Sequence, residues 1–240
     1  MATLRLPVRY YRDFAPHYDY AYETLSLPLE QTAFLLVDVN GEYELYTPIT
    51  EKFIAPALQA AREVKMRVAF VHNDLRLVSD EGNIVFEIWG KTKGMGQDSW
   101  KSWKKGSDFA PQYLDCVRPR PTDEPNFPKW VWSGFHDTFL DQHLRAHDIK
   151  TLICVGYSVR ACFYGTMVDA VYRNYRVVVL RDCVKAPEQP DTEDVSFPEG
   201  GWINRIMLRQ IEHLIGYTST AAEFIQACKR VSPQCPDTTR

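Results

Sequence analysis

The sequence predicts an α/β protein with a single doubly wound, mostly parallel sheet and helices on both faces. Short, almost entirely apolar runs recur at 33–39, 67–72, 151–156 and 176–181. Segments with apolar residues at helical spacing lie between these runs, and strands buried on both faces are typical of parallel sheets covered by helices. Composition changes nowhere sharply enough to mark a second domain, so we expect one domain over residues 33–230.

The N-terminal segment, residues 1–32, is expected to be irregular. Pro7, Pro16 and Pro28 interrupt any long element within it. We therefore predict an N-terminal arm that lies over the domain or over a partner subunit.

The remaining elements follow from apolar spacing and from proline-rich breaks. A short strand is expected at 129–133, and helices at 51–65, 136–147, 161–175, 202–214 and 219–228. Loops are expected at 119–128, which is proline-rich, and at 185–201, which is acidic. The Trp- and Lys-rich segment 89–106 is interpreted as a lid or a subunit contact.

Composition excludes several classes of partner. Net charge is −3 over 240 residues, so the chain lacks the basic field that collects nucleic acid. The sequence contains neither a signal-like N-terminus nor an apolar run long enough to cross a membrane. The six cysteines are scattered without a CxxC pair, which indicates reduced thiols in a cytoplasmic protein.

Two reactive side chains are predicted at the same edge of the sheet. Asp38 closes the first strand, and Cys162 follows the strand at 151–156 after a tight turn, at the start of a helix. Ligands of open parallel sheets bind outside the carboxyl ends of the strands. A helix N-terminus also favours the thiolate form of a cysteine, so Cys162 is a candidate nucleophile. The alternative for Cys162 is a buried structural cysteine.

Three stretches of sequence resemble a known family. VDVNGEY (37–43), the long block PKWVWSGFHDTFLDQHLRAHDIKTLICVGYSVRACFYGTMVDAVYRNYRVVVLRDC (128–183) and QIEHLIGYTST (210–220) resemble the isochorismatase-like cysteine hydrolases. Within that superfamily the chain looks most like amidohydrolases of linear ureido compounds, which include ureidoacrylate, biuret and triuret hydrolases. The resemblance implies one sheet flanked by helices and a homo-oligomer, a dimer or a tetramer.

The resemblance also implies a catalytic triad of Asp38, Lys129 and Cys162. A carboxamide is a weak electrophile and needs a thiolate, whose proton an aspartate can accept and return to the leaving amine. A lysine would keep the aspartate ionised and favour the thiolate. By the same resemblance, the oxyanion is held by backbone N–H groups of Cys162 and Ser158, beside a non-proline cis peptide between Tyr157 and Ser158. Alone, Asp38 and Lys129 would each be compatible with a solvated surface charge.

Substrate-binding residues are predicted with open alternatives. Asn40 follows Asp38 by two positions, and its amide suits a ureido group or a local Asx turn. Tyr43 is expected either to wall the pocket or to join the core. Gln210 is expected either to reach a substrate carbonyl or to lie on a solvated helix face. Ser158 is the weaker nucleophile, because Arg160 replaces the last glycine of a G-x-S-x-G turn.

The residues together predict a cofactor-free amidohydrolase without a catalytic metal. The stretch VHNDLR (71–76) lacks the Asp-x-His ligands of the metal-dependent nicotinamidases. Neutral amides and aromatics around the site favour triuret or biuret as substrate. Ureidoacrylate or an N-carbamoyl amino acid is the alternative and would need a cation, for which Arg160 and Arg76 are candidates. A catalytically silent member that binds a small ligand is the alternative from another class.

Overall fold

The computed structural model describes residues 2–40, 44–74, 77, 87–88, 111–122 and 124–231. Its strands are β1 Thr3–Phe14, β2 His17–Pro28, β3 Thr32–Val37, β4 Arg67–Asn73, β5 Asn126–Lys129, β6 Thr151–Tyr157, β7 Arg176–Lys185 and β8 Tyr217–Ser219. Its α-helices are α1 Thr47–Ile49, α2 Ala55–Glu63, α3 Leu140–Ala146, α4 Cys162–Tyr172, α5 Trp202–Gln210 and α6 Ala221–Val231. Two π-helical turns, Thr50–Ile54 and Ile211–Ile215, continue α1 into α2 and extend α5.

The strands form one eight-stranded sheet in the order β2-β1-β8-β7-β6-β3-β4-β5. Strands β3 to β8 pair in parallel, whereas β1 pairs antiparallel with both β2 and β8. The predicted doubly wound, mostly parallel sheet is confirmed.

Helices cover both faces of this sheet because alternate strand residues point to opposite sides. On β3, Phe34 and Leu36 join one core with the apolar sides of α2 and α6. Leu35 and Val37 join a second core with the apolar sides of α3, α4 and α5. The covered faces explain why all six residues of β3 are buried.

The prediction of an irregular segment at residues 1–32 is wrong. Residues 3–28 form a long hairpin, β1–β2, that extends the sheet beyond β8. Leu4, Leu6 and Val8 alternate with more exposed residues and are buried in the core. The prolines do not break the strands, because Pro16 lies in the turn and Pro28 at the end of β2. Whether this segment also covers a partner subunit stays a prediction.

Three other expectations change in detail. The short strand expected at 129–133 lies at Asn126–Lys129 instead, since a proline is tolerated on an edge strand such as β5. The helix expected from 136 begins only at Leu140. The short strand β8 was not expected.

The segment 89–106, interpreted from sequence as a lid or subunit contact, lies outside the described residues. Among the residues that the structure does describe, no helix is long and apolar enough to span a membrane.

Candidate active site

Four neighbouring strands bring their carboxyl ends to one place. Asp38 follows β3, and Asn73 and Lys129 are the last residues of β4 and β5. Asn73 and Lys129 are register partners, so their side chains start from adjacent points at the edge of the sheet. Cys162 opens α4 after the turn that follows β6. The sheet therefore brings all three predicted catalytic residues together, as the rule for parallel sheets leads one to expect.

The backbone allows this close approach at two unusual positions. Asp38 has φ 50°, in the left-handed region that aspartate tolerates better than most residues. Gly156 has φ 127°, and a Cβ there would lie 2.0 Å from the Val37 carbonyl oxygen. Only glycine fits at this contact, and it lets β6 run close beside β3 just before the turn that carries Cys162.

Lys129 and Asp38 form a buried ion pair. Lys129 Nζ lies 2.9 Å from Asp38 Oδ2, with 0% of the lysine side chain and 9% of the aspartate side chain exposed. Burial alone would lower the pKa of Lys129, but the charge of Asp38 and the hydrogen bond to it outweigh burial and raise this pKa. The lysine is therefore an ammonium ion at neutral pH, fixed beside the carboxylate that it neutralises.

Asn73 is a site residue that the sequence reasoning missed. Its Oδ1 accepts a hydrogen bond from Lys129 Nζ at 2.5 Å, and its Nδ2 donates to Asp38 Oδ2 at 3.3 Å. The same Nδ2 lies 3.7 Å from Cys162 Sγ. One amide thus contacts all three members of the triad. Asn73 could have been predicted as a site residue because it is a polar residue at the end of a buried strand, and such residues lie at the carboxyl edge of the sheet.

The surroundings of the Cys162 thiol favour its protonated form, whereas its position at a helix N-terminus favours the thiolate. Burial and the Asp38 carboxylate raise its pKa to about 12, while the Lys129 ammonium acts in the opposite direction. These effects outweigh the helix N-terminus, whose influence is only a partial charge. Attack by the sulfur therefore requires that a base remove the proton as the new bond forms.

The turn before Cys162 offers backbone donors. The Ala161 and Phe163 N–H groups donate to the Ser158 carbonyl, and the Val159 N–H donates to the Lys185 carbonyl. In the described part of the chain, the Ser158 and Cys162 N–H groups donate to no backbone carbonyl. The Tyr157–Ser158 peptide bond is cis. Unpaired donors next to a nucleophile are the arrangement that stabilises an oxyanion.

Two contacts hold the turn and the Lys129 segment in place. Tyr157 is buried, stacks on Tyr46 at 4.0 Å between ring centroids, and its hydroxyl lies 2.9 Å from that of Thr50. On the other side, Thr166 of α4 donates to the Cys162 carbonyl at 2.7 Å and accepts from the Gly134 N–H at 2.9 Å. The helix of the nucleophile is thereby tied to the chain that follows Lys129.

The predicted substrate-binding residues differ in where they lie. Asn40 is buried two residues beyond Asp38, and Ser158 lies in the turn, with a buried hydroxyl that lacks a partner among the described residues. Tyr43 lies outside the described residues. Gln210 is the last residue of α5, about 12 Å along the helix axis from its start, and shares no hydrogen bond with the triad in the described part of the chain. The substrate roles of all four residues stay predictions.

Among the residues that the structure describes, no group of three or more His, Cys, Asp or Glu side chains is placed to hold a metal ion. The nearest histidine on β4, His72, is buried and shares a hydrogen bond of 2.7 Å with Asn126 through Nδ1. Burial lowers the pKa of His72, so its ring is neutral and serves the sheet rather than the triad.

Two relatives of the chain carry the same name. A ureidoacrylate amidohydrolase, RutB, from Methylorubrum extorquens strain AM1 is 32% identical over 225 residues, which cover 84% of each chain. A protein of the same name from Azorhizobium caulinodans is 26% identical and covers 88% of this chain and 96% of its own length.

Solved structures share the fold. A cysteine hydrolase from Pseudomonas syringae pv. phaseolicola is 25% identical with a TM-score of 0.68, covering 86% of this chain and 96% of that one. The N-carbamoylsarcosine amidase of Thermoplasma acidophilum shares the fold at a TM-score of 0.55 and 24% identity, over 80% of this chain and 96% of that one. The family model described as the Isochorismatase domain matches residues 33–198, more than half of the sequence. The chain therefore belongs to the isochorismatase family.

Proposed function

We propose that this protein is a cysteine-dependent amidohydrolase that cleaves a C–N bond of a small linear ureido compound. The observation that carries the proposal is the junction at which the exposed Asn73 amide contacts the buried Asp38 and Lys129 and the half-buried Cys162. A thiol, a carboxylate and an ammonium group in one place supply a nucleophile, a base and a fixed positive charge. The relatives named ureidoacrylate amidohydrolase support the reaction class.

The reaction begins with attack on the ureido carbonyl. Cys162 Sγ bonds to the carbonyl carbon while its proton passes to Asp38, and the N–H groups of Ser158 and Cys162 stabilise the oxyanion. The C–N bond then breaks, and Asp38 returns the proton to the departing amine or ammonia. Water, deprotonated by Asp38, next attacks the thioester-like intermediate and restores the thiol. Every proton transfer is assigned to a residue of the chain, so the mechanism needs no cofactor.

Two substrate classes remain, and we place carboxylated ureido compounds first. The name that these relatives share favours a ureidoacrylate-like substrate. The preference for triuret or biuret from sequence relied partly on Tyr43, which lies outside the described residues, and on Gln210, which shares no hydrogen bond with the triad in the described part of the chain. The neutral amides of Asn40 and Asn73 keep triuret and biuret as the second candidate.

The mechanism is tested by the variant Cys162→Ser. A serine hydroxyl is far less acidic than a thiol, so we expect ammonia release or amine release to fall by at least roughly a thousandfold. The assay should compare ureidoacrylate, triuret, biuret and N-carbamoyl amino acids, and circular dichroism should show an unchanged fold. Cys116→Ser, at an exposed position, is the matched control and should keep full activity. Unchanged turnover in Cys162→Ser would eliminate the thiol mechanism.

The homo-oligomeric state, a dimer or a tetramer, is proposed from the family alone. Light scattering coupled to size exclusion would test it directly, and a monomer at the concentration used for activity assays would contradict it.

A further inference from the structure

Arg160 is a cation beside the nucleophile that the mechanism above does not use. It lies in the turn between β6 and α4, two residues before Cys162, and its side chain is exposed. Two residues span at most about 7 Å of backbone, so a guanidinium here is within side-chain reach of the space above the thiol.

The partner of Arg160 is neutral. The Gln189 amide oxygen, in the orientation that satisfies both groups, accepts hydrogen bonds from the two terminal nitrogens of Arg160 at 3.0 and 3.2 Å. Within the described part of the chain, no carboxylate lies within 4.0 Å of this guanidinium. A guanidinium has five N–H donors, so three remain available and the positive charge stays uncompensated.

The segment that carries Gln189 is fixed in place. Its neighbour Glu188 accepts hydrogen bonds from the Asn204 backbone and side chain at 2.9 and 2.6 Å. The other Glu188 oxygen accepts from Ile203 N–H at 3.1 Å and from Thr192 Oγ1 at 2.7 Å. Gln189 therefore approaches Arg160 from a segment anchored to the start of α5, and the guanidinium is oriented before any ligand arrives.

Of the two carboxylates on the same segment, Glu188 is occupied by its four donors. Glu199 Oε2 lies 3.9 Å from Arg205 Nη1 and accepts no hydrogen bond among the described residues. A second cation, Lys185, is the register partner of Tyr157 and donates to the Glu199 backbone carbonyl at 2.5 Å. Two positive groups held by neutral acceptors thus flank the turn of the nucleophile, and neither is neutralised by an acidic side chain within the ranges that the structure covers.

We infer that Arg160 is the anchor for a carboxylate of the substrate and that it selects carboxylated over neutral ureido compounds. This inference rests on the proposed amidohydrolase function. A planar guanidinium matches the two oxygens of a carboxylate, and the substrate's oxygens can bind the N–H groups left free by Gln189. With the carboxylate held there, the ureido carbonyl of the same small molecule extends toward Cys162.

The test uses two ligands that differ only in charge, N-carbamoyl-β-alanine and its carboxamide, N-carbamoyl-β-alaninamide. In Arg160→Gln we expect kcat/KM for the acid to fall about 10- to 100-fold, mainly through KM, because a charge-assisted bidentate contact is lost. For the carboxamide we expect a change of less than about threefold. Arg12→Gln, which removes an exposed arginine of the hairpin, should change neither value.

Lys185→Gln decides which of the two cations is the anchor. An effect on the acid confined to Arg160→Gln supports the inference. If Lys185→Gln abolishes the preference for the acid and Arg160→Gln does not, the assignment to Arg160 is overturned. Equal losses for acid and carboxamide in Arg160→Gln would also overturn it, since such losses indicate a structural role for the turn.

Measurements of ligand binding test the role of Arg160 independently of the proposed reaction. Calorimetric titration of the acid and the carboxamide into Cys162→Ser, with and without Arg160→Gln, reports the same selectivity without turnover. If Cys162→Ser proves to be fully active, the proposed mechanism fails, whereas the binding selectivity still decides the role of Arg160. Tighter binding of the acid that disappears with Arg160→Gln supports the inference, and equal affinity of the two ligands for the parent protein overturns it.

Discussion

The two oxygens of Asp38 have different surroundings. Oδ2 accepts hydrogen bonds from Lys129 Nζ and Asn73 Nδ2, whereas Oδ1 is buried and has no hydrogen-bond partner within the described residues. A buried acceptor without a partner is costly and uncommon in folded proteins. One oxygen therefore fixes the carboxylate, and the other has no described partner that would compete for the proton that the proposed mechanism assigns to Asp38.

The charge of Asp38 also affects how readily the Cys162 thiol ionises. Removing this charge should make the thiol more acidic and the enzyme less active. Asp38 raises the pKa of the thiol and Lys129 lowers it. In Asp38→Asn the pKa of Cys162 should therefore fall below about 12, so iodoacetamide should label the sulfur faster at pH 8 than in the parent. Turnover should nevertheless collapse, because the base is gone.

Lys129→Met should shift the pKa of the Cys162 thiol in the opposite direction from Asp38→Asn. Loss of its ammonium removes the one charge that lowers the pKa of the thiol, so labelling at pH 8 should slow. Rates should be measured in a Cys116→Ser background, because Cys116 is exposed and would compete for the reagent. Slower labelling of Asp38→Asn would show that the carboxylate does not act on the sulfur.

Among the elements, the hairpin β1–β2 depends on a few polar contacts with the C-terminal part of the chain. Arg9 Nε lies 2.6 Å from Glu212 Oε1, with 18% and 0% of the two side chains exposed. Thr218 Oγ1 donates to the same carboxylate oxygen at 2.6 Å. Arg209 stacks on Tyr11 with its guanidinium carbon 3.7 Å from the ring centroid. The hairpin is thus fixed to β8 and to the π-helical turn before it.

We expect Arg9→Met to lower the free energy of unfolding by about 2–4 kcal/mol, because the buried Glu212 carboxylate loses its charged partner. Urea denaturation measures this change. The double variant Arg9→Met/Glu212→Gln should regain part of the loss, since no buried charge remains.

Arg12→Met provides the control for that prediction. Arg12 pairs with Asp19 in the same hairpin, but 29% and 59% of these side chains are exposed, so the cost should stay below about 1 kcal/mol. Equal losses in Arg9→Met and Arg12→Met would mean that burial of the Glu212 charge is unimportant.

Sequence predicts those elements whose signal is local. The apolar runs of β3, β4, β6 and β7 and the rule on carboxyl ends were enough to place Asp38 and Cys162 at one edge. The hairpin was missed because its partner, β8, is three residues long and lies about two hundred positions further along the chain. Asn73 was missed because its role depends on the strand order β3-β4-β5, which spacing along the chain does not reveal.

For the whole molecule, buried thiols make stability sensitive to alkaline pH. Burial raises the pKa of Cys162 and Cys228 to about 12, and it also raises the pKa of Cys154 and Cys183 well above the ordinary value. The unfolded chain releases these protons near its ordinary pKa of 9.0. The stability that the thiols contribute is therefore fully present below about pH 9 and is lost as the pH rises toward 12.

Each such thiol can lower the free energy of unfolding by up to about 1.4 kcal/mol per pH unit above pH 9. For the four thiols together we expect a loss of up to about 8 kcal/mol between pH 8 and pH 10.5, measured by urea denaturation under reducing conditions. In Cys154→Val the loss should be smaller, because one titrating group is removed while the buried volume is nearly kept. A free energy that rises over this interval would contradict the assignment of the thiols as buried and neutral.

The strand order also constrains how the chain matures on the ribosome. The hairpin is synthesised long before β8, which begins at Tyr217 and is the strand that joins it to the rest of the described sheet. Until then the apolar side chains of the hairpin, Leu4, Leu6 and Val8, have no sheet to join. Nascent chains carry that exposed ribbon through almost all of translation, a period in which unpaired strands are most prone to wrong association. A chaperone that shields the hairpin would therefore have to stay bound until β8 has been synthesised.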